Sequence, residues 1–143
     1  MSASEEAQIR HIYEQWHETV MSQDLPGLMA LYAEHAVMET PAILAQFPDL
    51  DEGILRGRGE IEKLFARNFG NLAREFSALC RTGLFFSNGR HLTWEYPRQT
   101  PRGAQVDLFE SMDIENGLIV YHRVYWGWQG LKSLLAVRGK PAA

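Results

Sequence analysis

The sequence predicts an α+β domain, helices first and an antiparallel sheet after them. Apolar residues recur at helical spacing from Ile9 to Phe69, and from Phe76 the pattern changes to short alternating strands separated by turn dipeptides. No internal repeat or low-complexity segment interrupts this order. Helices followed by a meander pack on one face of a curved sheet. The length of 143 residues suits one domain spanning 1–143.

The first helix is expected from Ser4, with Glu5 and Glu6 near the positive end of its dipole and Ile9, Ile12, Tyr13, Trp16 and Val20 on its inner face. Gln23-Asp24 ends it. Asp24 caps a second helix with Pro26 in its first turn and Leu28, Leu31 and Tyr32 inward; His35 closes it, where an imidazolium suits the dipole. Ala36 to Thr40 reads as a short strand stopped by Pro41. Residues 42–56 hold Pro48, two aspartates and Gly53, so they are expected to form a long loop that lids a pocket.

Gly57-Arg58-Gly59 has neither the lysine nor the spacing of a phosphate loop and reads as the start of a third helix, with Ile61, Leu64, Phe65 and Phe69 on one face. Phe76 to Phe86 is expected as a strand, Asn88-Gly89 as a tight turn, and Arg90 to Tyr96 as its partner. Pro97 and Pro101 bracket a turn-rich connection. Leu131 to Val137 is a candidate tail helix.

The net charge of −4 argues against a nucleic-acid partner, and no apolar run reaches the ~18 residues of a membrane span. One cysteine, Cys80, excludes an internal disulfide and fits a reducing compartment, and the acidic N-terminus does not resemble a signal peptide. A cytoplasmic protein is expected. His11, His17 and His91 have no partner at metal-ligand spacing, so neither a metal nor a cofactor is expected.

The chemistry concentrates in a hairpin, Val106 to Ile114 and Leu118 to Trp126, turned at Glu115-Asn116-Gly117. A two-residue Asn-Gly turn sets Glu110 opposite Arg123, a salt bridge on an exposed face. A three-residue loop with Gly117 in a left-handed bulge sets Glu110 opposite His122, an acid facing a base. Glu110 interrupts the apolar alternation Val106-Leu108-Glu110-Met112-Ile114, and a carboxylate there costs several kcal/mol unless paired or protonated. His122, with an ordinary pKa near ~6.5, can act as acid or base. Residues alone leave both registers open.

Three stretches resemble a known family: Asp24 to Pro41, Leu55 to Ile61, and Asn116 to Trp126. In this order they are similar to the NTF2-like superfamily, in its SnoaL-like and ketosteroid-isomerase-like branches. The resemblance implies a cone-shaped, curved antiparallel (mixed) sheet around three N-terminal helices, an apolar pocket, and a homodimer through the outer sheet face. It also implies the bulged turn, which aims Glu110 at His122. The general-base aspartate of ketosteroid isomerases matches Thr40, their oxyanion-hole tyrosine matches Trp16, and their second, protonated acid matches Glu110. The first two substitutions count against ordinary ketosteroid isomerase activity. The catalytic aspartate of the limonene-epoxide-hydrolase-like branch matches Val124. Phenazine-biosynthesis proteins of this fold use a glutamate and a histidine, similar in kind to Glu110 with His122.

The expected function is therefore a cofactor-independent acid–base enzyme (isomerase, cyclase, dehydratase or hydrolase) on a hydrophobic, carbonyl-containing or polycyclic small molecule. Glu110 and His122 are its candidate catalytic residues, and Tyr13, Trp16, Met38, Thr40, Trp94, Tyr96, Met112, Val124 and Trp126 its candidate substrate-binding residues. Tyr13 and Tyr96 can donate to a ligand carbonyl. The alternative is a module of the same fold that binds a small molecule or dimerises without catalysis.

Overall fold

The computed structural model describes residues 2–79, 84–95, 98–99, 103 and 105–138. Helix α1, Ala3–Ser22, starts one residue before the expected Ser4. Ser2 is its cap, in a reciprocal box where the Glu5 N–H donates to the Ser2 hydroxyl and the Ser2 N–H to the Glu5 carboxylate. Its inner stripe is the expected one, with Ile9, Ile12, Tyr13, Trp16 and Val20 buried. Asp24 caps α2, Leu25–Met29, by accepting the Gly27 N–H at 2.9 Å.

Strand β1 begins at Tyr32 and runs to Glu39, which corrects the expected second helix. Leu31 and Tyr32 are buried, as expected of an inner face, but Tyr32 belongs to the strand, as does exposed His35. Tyr32-Ala33-Glu34-His35-Ala36 is locally compatible with a helix. The strand is anchored at Tyr32, opposite Ile119 of the parallel β8 (Leu118–Trp126), and after an irregularity Val37 to Glu39 pair with β8 on one edge and with the antiparallel β2 (Ile54–Arg56) on the other.

Residues 42–56 are not an unstructured loop. They contain α3 (Ala42–Gln46) and β2, with Ile43 and Leu55 buried. Gly57, at φ +95°, turns the chain into α4, Arg58–Leu79, whose Ile61, Leu64, Phe65 and Phe69 are buried as expected. This helix runs through Phe76 to Leu79, where a strand was expected. Leu72-Ala73-Arg74-Glu75 are good helix formers, and no Gly or Pro stops the turn before Leu79. Among the described residues, strand pairing at this end is found in β3 (Phe86–Ser87), which forms the expected hairpin over Asn88-Gly89 with β4 (His91–Glu95). A separate two-stranded ribbon joins β5 (Arg98–Gln99) to β6 (Gln105–Val106). Tyr96, Pro97 and Pro101 lie outside the described residues. Strand β7 is Leu108–Glu115, and the tail helix α5, Trp128–Val137, starts a turn earlier than expected.

The main sheet has the order β2-β1-β8-β7-β4-β3 and stays open, with β2 and β3 at its edges. The parallel β1–β8 pair makes it mixed, and α1, α2 and α4 fill its inner face through one shared core. Among the described residues no helix is long and apolar enough to cross a membrane.

The β7–β8 register matches neither expected alternative in full. Glu115 pairs with Leu118 across a two-residue Asn116-Gly117 turn, both residues at positive φ (52° and 74°). A bulge then places Val120 as the extra residue, because Ile114 pairs with Ile119 but Asp113 with Tyr121. Beyond it, Glu110 stands opposite Val124 and Met112 opposite His122. The tight turn and the bulge are separate devices. Together they put Glu110 and His122 on one face, diagonal to each other, and Arg123 on the other.

A Cβ at Gly117 would meet only Gln8, at 3.9 Å, so a substitution there is opposed by φ and not by space. Gly117→Ala should lower unfolding free energy by roughly 1–2 kcal/mol. Urea denaturation checks this.

Candidate functional site

His122 lies on the central strand of the sheet, between Met38 of β1 and Met112 of β7. With neighbours on both sides and helices above, its ring is fully buried, at 0% exposure. Each ring nitrogen has a partner. Nε2 is 2.5 Å from Glu110 Oε2, and Nδ1 is 2.9 Å from the Tyr32 hydroxyl. The Trp16 indole N–H of α1 donates to that same hydroxyl at 3.2 Å. Four side chains thus form one buried chain, Trp16–Tyr32–His122–Glu110, drawn from four elements.

Glu110 is 3% exposed, and its second oxygen, Oε1, has no hydrogen-bond partner among the described residues. Burying a carboxylate costs several kcal/mol unless it is paired and hydrogen-bonded. The short contact to His122 answers that cost on one oxygen. Tyr32 is held as a phenol: burial pushes its pKa far up, the Trp16 hydrogen bond opposes this, and the nearby Glu110 charge adds to it. His17, one turn from Tyr13 on α1, is buried beside Trp94 and Tyr13, and its Nδ1 is 2.6 Å from the Tyr13 carbonyl. Burial lowers its pKa, outweighing that hydrogen bond and the Glu110 charge.

A cavity of about 130 Å³ opens beside the pair. Its polar wall is Glu110, His122 and Thr40, and its apolar wall includes Trp16, Met38, Phe65, Leu64, Leu108, Val124 and Trp126. Ala42 and Gln46 of α3, Asn68 of α4 and Leu134 of α5 complete it. The Thr40 hydroxyl accepts the Trp126 indole N–H at 3.0 Å and the Ala42 N–H at 3.3 Å, so it ties β1 to β8 and to the start of α3. The Asn68 amide donates to Gln46 Oε1 at 2.9 Å, joining α4 to α3.

Seven of the sequence candidates line the cavity: Trp16, Met38, Thr40, Glu110, His122, Val124 and Trp126. Tyr13, Trp94 and Met112 are buried behind that wall, as core. The Trp94 indole N–H has no acceptor among the described residues. Tyr96 lies outside them. Tyr32 is the residue that sequence reasoning missed. Its signal was present only as an apolar inward position, and the helix expected there pointed it at the core instead of at His122. Among the described residues no cluster of His, Cys, Asp and Glu could hold a metal ion.

Chemically, Glu110 with a free oxygen on the cavity and His122 locked behind it is a base with an orienting partner. Arg123 takes no part. It lies over the Tyr121 ring, 3.8 Å from its centroid, and 3.5 Å from Asp113 on the outer face.

Residues 13–122 match the sequence model of the SnoaL-like domain. Among solved structures, an NTF2-like protein of unknown function from Burkholderia pseudomallei superposes with a TM-score of 0.68 at 15% identity, covering 98% of this chain and 100% of that one. TerC, co-crystallised with polyporic acid, gives 0.66 at 14% identity, covering 90% and 98%. A protein of ketosteroid-isomerase-like fold from Catenulispora acidiphila, in complex with trimethylamine, gives 0.58 at 19% identity, covering 91% and 93%. No curated protein sequence matches the chain. Likeness at these identities establishes the fold.

The lowered pKa of His17 has a sign in stability. Below its ordinary value of 6.5 the unfolded chain binds the proton first, so unfolding free energy falls as pH drops from 6.5 toward the folded-state pKa. His17→Gln keeps a donor for the Tyr13 carbonyl and does not titrate, so its stability should fall less steeply over that window. Urea titrations of both proteins at stepped pH check this.

Proposed function

The chain belongs to the SnoaL-like domain family, with the NTF2-like fold, and within that family we propose that it is a cofactor-independent acid–base enzyme acting on a small hydrophobic molecule. The observation that carries this reading is the 2.5 Å contact between His122 Nε2 and Glu110 Oε2 on the wall of an apolar cavity. Glu110 is the group that takes and returns a proton through Oε1. His122 orients it and shares the charge. Trp16, Met38, Val124 and Trp126 hold the substrate's apolar body, and Thr40 fixes Trp126 by hydrogen bond. The reaction is of the isomerase, cyclase, dehydratase or hydrolase kind. Ordinary ketosteroid isomerisation is not the reading favoured, because Thr40 is no base near neutral pH and its hydroxyl already accepts two N–H groups.

Two neighbours of this fold were crystallised with small organic molecules, polyporic acid in one and trimethylamine in the other, which supports a small-molecule ligand here. In the same reading, α3 and the chain around it (42–56) act as the lid, since Ala42 and Gln46 reach the cavity. The protein works in a reducing cytoplasm and pairs with a second copy through the outer sheet face, where Phe109 is 39% and Tyr125 58% exposed.

Positioned proton transfer contributes roughly 10²–10⁴-fold to rate, so Glu110→Gln should lose about that much. The assay is deuterium uptake from D₂O into a panel of small cyclic carbonyl and hydroxy compounds, with near-UV circular dichroism to show that the fold persists. Equal uptake rates for both proteins would favour the alternative, a binding module without chemistry. Sedimentation equilibrium tests the second copy: a dimer is expected, with Tyr125→Glu shifted toward monomer, and a monomeric parent protein would remove it.

A further inference from the structure

The hydrogen-bond chain behind Glu110 has a direction, and the direction selects a ligand. An indole N–H can only donate, so Trp16 occupies one lone pair of the Tyr32 oxygen. Tyr32 is fully buried, and its remaining polar neighbour is His122 Nδ1 at 2.9 Å. If Nδ1 carried a proton, the phenol hydrogen would have no acceptor among the described residues, and a buried unmatched donor keeps its whole desolvation cost. The phenol therefore donates to Nδ1. The neutral imidazole then carries its proton on Nε2 and donates it to Glu110 Oε2, and on the acid–base reading, in which Glu110 takes a proton through Oε1, that group is a carboxylate.

Every donor in Trp16–Tyr32–His122 points toward Glu110, so the chain ends on the cavity as a bare acceptor, Oε1. No lysine or arginine lines the cavity among the described residues, so its contents must answer that oxygen. A carbonyl oxygen placed there would set lone pair against lone pair. The cavity's size of about 130 Å³ is near that of the roughly 150 Å³ apolar cavity that accepts benzene. Resting on the acid–base reading and deepening it, we infer that this cavity selects single-ring-sized molecules that present a hydrogen-bond donor, a hydroxyl or protonated amine, to Glu110, and that Tyr32 is the positioning residue that fixes this polarity. The proton Glu110 removes then comes from that donor group. This revises the carbonyl-containing or polycyclic substrate expected from sequence.

The test uses the intact protein and three matched rings: cyclohexanol, protonated cyclohexylamine and cyclohexanone. Indole N–H resonances of Trp16 and Trp126 report binding, and imidazole ¹⁵N shifts report the His122 tautomer. The alcohol and the ammonium should bind about tenfold or more tighter than the ketone, because a hydrogen bond to a charged group is at stake. His122 should show bare Nδ1 and protonated Nε2. In Tyr32→Phe the tautomer preference should disappear and the alcohol-to-ketone ratio should move toward unity. A ketone bound as tightly as the alcohol, a protonated Nδ1 in the parent protein, or no saturable binding of any ring overturns the inference. If Tyr32→Phe does not fold, the parent protein's tautomer and ratio still decide. None of these readouts is turnover, so an inactive Glu110 would sink the enzyme reading and leave this one standing.

Discussion

A buried carboxylate is the constraint around which this molecule is arranged. Glu110 sits on the inner face of the sheet, between Trp94 on one neighbouring strand and Val124 on the other, where an unpaired charge costs several kcal/mol. His122 answers one of its oxygens, and for that His122 must be on the same face, with its ring at a fixed tilt. Tyr32 provides the tilt from one side of the ring and Glu110 from the other. Trp16 then fixes Tyr32. β8, which carries that ring, lies inside the sheet between β1 and β7.

The bulge at Val120 is a small irregularity with a large effect. Side chains alternate along a strand, so one extra residue exchanges the faces of everything beyond it relative to the partner strand. Without it, Glu110 would share a face with Arg123, and a salt bridge on the outer surface would replace a buried acid–base pair. With it, Arg123 turns outward to Tyr121 and Asp113. The Asn116-Gly117 turn leaves the hairpin tight while the bulge supplies the offset.

The cavity is a product of the same arrangement. It lies where the inner sheet face and α4 meet near Glu110, beside two polar ties, Trp126 of β8 to Thr40 at the end of β1 and Asn68 of α4 to Gln46 of α3. These bonds fix the positions of α3 and β8 against the wall, and the space between remains open to a ligand. Apart from Thr40, Gln46 and Asn68, aromatic and aliphatic groups form the rest of the lining, so charge is concentrated at Glu110. A site of this kind distinguishes ligands by which polar group they bring to that point.

Much of this was readable in the chain itself. Helical spacing from Ile9 to Val20 and from Ile61 to Phe69 marked the two long helices, because one buried stripe needs that period whatever it packs against. Asp24 before Pro26 and the Asn88-Gly89 turn are local chemistry and were read correctly; Asn116-Gly117 was read as a turn, but its two-residue form was left open beside a three-residue bulged one, which the resemblance favoured. The apolar alternation broken by Glu110 singled out the acid. Tertiary structure decided the rest. Tyr32 to Ala36 could have been helix or strand, and only the pairing of Tyr32 and of Val37 to Glu39 with distant strands settled it. Phe76 to Leu79 continued a helix because nothing local ended it. The register beyond Val120 depended on a bulge that no residue type announces. The Tyr32–His122 bond joins positions 90 apart in the chain. Period, capping and turn chemistry are local and so are written in sequence, whereas pairing across strands is a contest between distant surfaces, resolved only when the whole core is assembled.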